Sequence, residues 1–141
     1  MQTKSVGLES LEIWQRAVDY AVDVCKNVIP LFPSEEKWAL ASQLRKSVQS
    51  IPANIAEGYG RYNFQETIHF CYIARGSMAE TKTHLVIAHR LDYIDVTICR
   101  KYLDQLVELG KMTNGYITHL RGQKALNAIK ETPGLDEIYE I

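Results

Sequence analysis

The sequence predicts an all-α protein, an up-down-up-down antiparallel four-helix bundle with a proline-kinked second helix. Three observations carry that prediction. Apolar residues recur at steps of three and four along most of the chain, the period of amphipathic helices. The breaks between these stretches are only a few residues long, which makes consecutive helices antiparallel neighbours. Finally, Ser50-Ile51-Pro52-Ala53-Asn54-Ile55-Ala56-Glu57-Gly58 places a proline inside the stripe of Leu44, Val48, Ile51 and Ile55. Pro52 lacks an N–H and its ring clashes one turn back, a cost of about 3 kcal/mol in a helix interior. A fold that keeps it must offset that cost by tertiary packing, so the segment marks one particular bundle.

The first helix is expected to start after Ser10 as N-cap, with Glu12 set favourably against the helix dipole. Ile13, Ala17, Val24 and Val28 form one stripe, and Trp14, Val18, Val22 and Ile29 a second beside it. The combined arc is wider than a one-sided surface helix needs. Pro30 and Pro33 bracket its end, and Ser34 is the expected cap of the second helix, with Glu35 and Glu36 in its first turn. That helix runs to about Gly58, where Gly58-Tyr59-Gly60 offers positions tolerant of positive φ.

Asn63 followed by Glu66 resembles a capping box and opens the third helix, whose stripe of Ile68, Cys71, Met78, Leu85 and Ala88 reaches about Leu91. Asp95 is the next cap, with Ile94 and Cys99 spaced as a hydrophobic staple. In the fourth helix Cys99, Leu103, Leu106, Gly110, Thr113, Ile117 and Leu120 alternate steps of four and three, as in a bundle seam. Gly110 and Thr113 are expected to narrow that seam and let a neighbouring helix approach. Residues 1–122 form the predicted bundle and 123–141 a partly flexible C-terminal extension. Within the extension Leu126 and Ile129 can prolong helix four before Thr132-Pro133-Gly134, and Leu135, Ile138 and Tyr139 can dock.

At 141 residues, with 46% apolar and 23% charged side chains, one soluble domain is expected. The first residues lack a signal-type apolar core, and no apolar run approaches the roughly 18 residues of a membrane span, so a cytoplasmic location without membrane partners is expected. Cys25, Cys71 and Cys99 are odd in number and lie in helical apolar patterns, which reads as small buried hydrophobes in a reducing compartment. The net charge of −1 is uneven: −3 over residues 1–36, −4 over 131–141 and +6 between them. No acidic residue falls between Lys111 and Lys130.

Gln43, Ser47, Ser50, Asn54 and Glu57 form a polar stripe beside the apolar one. Besides a solvated face, the preferred reading is a partly buried network that serves the carbonyls freed by Pro52 and pairs with the third helix, with Arg45 and Glu80 as its charged pair. Glu66-Thr67-Ile68-His69 is a Glu-x-x-His, but a di-iron bundle needs a second such unit and two more inward glutamates; no second unit exists, Glu80 and His84 being four apart, and Glu66 is already explained as a capping residue. His89 and His119 are isolated. Gly58-Tyr59-Gly60 follows a helix and lacks the third glycine of a nucleotide loop. No enzyme, metal or cofactor is expected.

Gln43-Leu44-Arg45-Lys46-Ser47 followed by the run Ser50 to Gly58 resembles the signature of the four-helix-bundle proteins encoded by intervening sequences in bacterial 23S ribosomal RNA genes. Leu11-Glu12-Ile13-Trp14-Gln15-Arg16-Ala17 is similar to that family's opening, Phe32-Pro33 to its first turn, and Ile73-Ala74-Arg75-Gly76-Ser77-Met78-Ala79-Glu80 to its third helix. The resemblance covers roughly residues 8–120. Lys46 stands where a second arginine is common, and Asp92 where a glycine often precedes Tyr93. The resemblance implies a homopentamer, similar to the accessory protein of diversity-generating retroelements, a pentameric barrel that binds nucleic acid and a reverse transcriptase. It brings no settled activity.

Two functional readings follow. One is a non-catalytic oligomeric scaffold that binds RNA or DNA weakly, alone or with a protein partner, through Arg61, Arg75, Lys111, Arg121, Lys124 and Lys130. Arg90, Arg100 and Lys101 are further cations in the same reach. The other is a structural or protein-interaction module without nucleic-acid binding, in which these charges only solvate helix faces. A pI of 6.4 argues against strong binding, and no spaced aromatic platform is visible.

Overall fold

The computed structural model describes residues 7–131, with side chains through 127. Four helices carry them: α1 (Glu12–Asn27), α2 (Leu40–Tyr59), α3 (Phe64–Arg90) and α4 (Val96–Glu131). Among the described residues there is no strand. Each helix packs on the next, and α1 also meets α4, which closes the ring. Ser47 pairs with Thr81, Ser50 with Ser77, and Gly58 with Thr67, so α2 and α3 run antiparallel in a fixed register.

The helix starts depart in part from expectation. Ser10 does not cap α1: its hydroxyl donates to the Gly7 carbonyl inside a 3-10 turn, and Leu11 occupies the cap position. Ser34 opens only the three-residue 3-10 turn Ser34–Glu36. The Glu36 carboxylate instead accepts the Leu40 N–H at 3.0 Å and the Tyr93 hydroxyl at 2.8 Å, joining the start of α2 to the α3–α4 turn. Two expected caps are present. The Asn63 side chain accepts the Glu66 N–H and the Asp95 carboxylate the Ile98 N–H, each at 2.8 Å. Asp92 sits at φ 63°, a left-handed conformation in which Asp is tolerated but glycine is easier.

Pro52 is buried inside α2, flanked in the core by Val48, Ile51 and Ile55. Gly58 serves a different purpose from the one the sequence suggested. Neither Gly58 nor Gly60 has positive φ; Gly58 is still helical, and a Cβ there would lie 2.7 Å from the Phe70 Cβ and 3.1 Å from the Thr67 carbonyl oxygen. It therefore permits close packing of the end of α2 on the start of α3. The reverse holds at Gly110, where an added Cβ would meet nothing within 4 Å. Gly110 thus borders open space and draws no helix close, whereas Thr113, the other small residue of the expected seam, is fully buried.

The main core joins all four helices around Val24, Leu44, Val48, Ile51, Ile55 and Leu85, each essentially inaccessible. A second cluster of Ile68, Cys71, Ile117 and Leu120 belongs to α3 and α4 alone. Along α1 the first predicted stripe is buried, whereas Val22 in the second is 47% exposed. Trp14, Val18 and Val22 line a shallow apolar groove with Pro52, Ala53 and Ala56 of α2. Helix α4 continues through Gly122 to Glu131, and the expected docking of Leu135, Ile138 and Tyr139 lies outside the described residues. No helix among the described residues is long and apolar enough to cross a membrane.

Candidate functional site

The polar residues of α2 divide into two groups. Ser47 is buried; its hydroxyl donates to the Leu44 carbonyl at 3.1 Å and receives that of Thr81 at 2.9 Å. Thr81 is also 2.9 Å from the Ser77 carbonyl, and Ser77 meets Ser50 at 2.9 Å. The Asn54 amide donates to both the carbonyl and the hydroxyl of Ser50. Ser47, Ser50 and Asn54 thus form a hydrogen-bonded seam with α3, completed by Ser77 and Thr81. Buried hydroxyls require such partners, since an unmet one costs about 1–3 kcal/mol. The remaining residues of the stripe do not join it. Gln43 and Arg45 are exposed, Glu57 pairs with Arg61 at 2.7 Å, and Glu80 lies 3.6 Å from His84 rather than beside Arg45. Among the described residues no side chain donates to the Val48 carbonyl that Pro52 leaves without its helical partner; the amide of Asn54 serves Ser50 instead.

The cations also separate. Lys111 is 3.4 Å from Glu108, and Arg61 is held by Glu57 with its guanidinium 4.9 Å from the Phe70 ring centre. Lys130 is on α4, its side chain outside the described residues. Arg75 and Arg121 come together around one ring, and Lys124 joins the same α3–α4 face through Gln65. Tyr72 on α3 has the Arg75 guanidinium 5.5 Å and the Arg121 guanidinium 5.7 Å from its ring centre. Arg121 also donates to the Tyr72 hydroxyl, and Lys124 donates to the Gln65 amide oxygen. Among the described residues none of these three cations has a carboxylate partner. Tyr72 and Gln65 are the members that sequence reasoning missed. Tyr72 and Arg75 share a helix face by their spacing of three, but Arg121 reaches them only through the antiparallel register of α3 and α4.

Beyond Arg75 the face continues as a groove of about 280 Å³ floored by Met78, Leu106 and Gly110, with Lys82 and the carboxylate Asp104 on its rims. On the opposite seam, between α1 and α4, a second groove of about 310 Å³ is lined by Arg16, Asp19, Asp23 and Glu108. There the Tyr20 hydroxyl donates to the Tyr102 carbonyl at 3.0 Å, and the Tyr102 hydroxyl to Asp23 at 2.7 Å. Burial, reinforced by the bond to Asp23, pushes the Tyr102 phenol up to about 12. Burial opposes ionisation of Asp23, yet hydrogen bonds from Asn27 and Tyr102 and the charge of Lys101 hold its carboxyl below the usual range. These phenols are structural anchors. Among the described residues no group of three metal-binding side chains converges, and Glu66 and His69 are both exposed.

A search of curated proteins finds no match. A solved structure from Bacteroides thetaiotaomicron, a protein with unknown function from the S23 ribosomal protein family, is similar to this chain with a TM-score of 0.68. The two are 24% identical, over 74% of this chain and 97% of that one, so the likeness speaks for the fold. The sequence profile of the 23S rRNA-intervening sequence proteins matches residues 9–115, from the start of α1 to beyond the middle of α4. Neither comparison names a catalytic activity. The match takes in both the Pro52 segment and the seam it makes with α3, and on its extent the chain belongs to the 23S rRNA-intervening sequence protein family.

Proposed function

We propose that the chain is a non-catalytic, cytoplasmic scaffold that binds RNA or DNA weakly through the α3–α4 face, repeated around a homo-oligomer. The observation that carries this reading is the convergence of Arg75, Arg121 and Lys124 without carboxylate partners among the described residues. Uncompensated cations on one face attract a polyanion, and repetition by symmetry multiplies a weak site. Lys130 lies further along the same acid-free stretch of α4 in sequence; Lys111 and Arg61, already paired with glutamates, contribute less. The near-neutral pI sets the affinity low.

Self-association rests on the apolar groove of Trp14, Val18, Val22 and Pro52, a half-open surface suited to a second copy. The pentamer implied by family resemblance is the proposed state. The same groove is the specific feature that favours the second reading, a protein-interaction module without nucleic acid.

Purification under low salt followed by the 260/280 nm absorbance ratio separates the two. Retained nucleic acid that is released by salt supports the scaffold. A nucleic-acid-free oligomer that gives no mobility shift at low salt supports the interaction module. A clean monomer at micromolar concentration by multi-angle light scattering removes the oligomeric part of both.

A further inference from the structure

We infer that the α3–α4 face takes a single strand, with one unpaired base stacked at Tyr72 and its flanking phosphates held by Arg75, Arg121 and Lys124. This inference rests on the nucleic-acid reading above and names the form of ligand. Tyr72 is 40% exposed and is set between two helices, so its ring is reached by a splayed base rather than by the edge of a stacked pair. Two guanidiniums from different helices already lie within stacking range of it. Guanidinium planes and aromatic rings are the surfaces on which unpaired bases settle, independent of sequence.

The surroundings fit a strand rather than a duplex. From Gln65, which holds Lys124, to Arg75 is ten residues of α3, about 15 Å at 1.5 Å per residue. That length spans a few successive phosphates of an extended strand. Gly76 lies one turn from Tyr72 on the same side of α3, and a Cβ added there would meet nothing within 4 Å. Bare helix surface of this kind lets a sugar–phosphate backbone come close. The groove of Met78 and Gly110 beyond Arg75 offers the next base an apolar floor.

The test is fluorescence anisotropy with labelled 12-nucleotide RNA, its DNA counterpart and the corresponding duplex, all at low salt. The wild-type protein binds either single strand several-fold more tightly than the duplex. Tyr72→Leu, which keeps helix propensity and bulk but removes the π-face, weakens single-strand binding about 5- to 100-fold, as expected for one stacked base. Tyr72→Phe retains most of the affinity, and the duplex is unaffected by either change. Circular dichroism melts confirm that both variants fold, and Tyr72→Phe serves as the folded reference if Tyr72→Leu does not. Equal binding of strand and duplex, with Tyr72→Leu neutral, overturns the single-strand inference and leaves the basic-face reading standing. No binding of any probe overturns both.

Discussion

A methyl group added to the helical glycines of this protein should have opposite effects at different positions, and the structure sets the sign. At Gly58 a Cβ would stand 2.7 Å from the Phe70 Cβ and 3.1 Å from the Thr67 backbone oxygen. Neither neighbour is the free end of a flexible side chain, so α2 and α3 must separate. Overpacking of this kind costs about 1–3 kcal/mol. Separation also strains the bond from the Thr67 hydroxyl to the Gly58 carbonyl, now 2.9 Å and worth about 1 kcal/mol. Against this stands a gain of about 1 kcal/mol in helix propensity for Ala over Gly. Gly58→Ala should therefore lose about 1–3 kcal/mol net. At Gly76 and Gly110 nothing lies within 4 Å of the added methyl, so only the propensity gain of up to about 1 kcal/mol remains. Urea midpoints followed by circular dichroism at one fixed protomer concentration measure all three, since association shifts apparent stability. A Gly58→Ala protein as stable as the wild type, or a marked loss at both Gly76 and Gly110, would refute the packing account.

Other consequences follow from particular groups. Asp92→Gly should stabilise by about 0.5–1 kcal/mol in the same assay, because it relieves the left-handed penalty at φ 63° while giving up some chain entropy. Burial raises the phenols of Tyr20, Tyr102 and Tyr116, the last two to about 12. The folded state therefore keeps protons that the unfolded chain releases near pH 10, so stability should be intact below pH 10 and fall progressively between about 10 and 12. Tyr102→Phe should blunt that fall; an unchanged denaturation profile would discard the phenols as its cause. Burial pushes the Cys71 thiol up to about 11, and the Cys99 thiol donates to the Leu85 carbonyl. Both should resist a thiol reagent at neutral pH until urea unfolds the chain, with the number of thiols reacting before and after as the readout.

The helical periods and the short connections were legible in the sequence because burial in a bundle writes itself at steps of three and four. The caps at Asn63 and Asp95 were legible for a similar reason, as a side chain reaches an N–H only three residues on. Ser10 and Ser34 misled because 3-10 turns satisfy the same backbone groups just upstream of α1 and α2. The polar seam was half visible: spacing placed Ser47, Ser50 and Asn54 on one side of α2, but only the register with α3 supplies Ser77 and Thr81. Arg45 and Glu80 look complementary in sequence but form no ion pair, Glu80 lying beside His84 instead, which no local pattern reveals. Tyr72 was passed over for the same reason, since its significance comes from Arg121, 49 residues away.

The claim that the α3–α4 face is the nucleic-acid surface is tested most directly by the salt dependence of binding. Log affinity for a single-stranded oligonucleotide falls linearly with log salt, at a slope near −0.7 per neutralised phosphate. The combined replacement of Arg75, Arg121 and Lys124 by glutamine should weaken binding and make that slope shallower by about two. An unchanged slope and affinity would place the surface elsewhere and contradict the account.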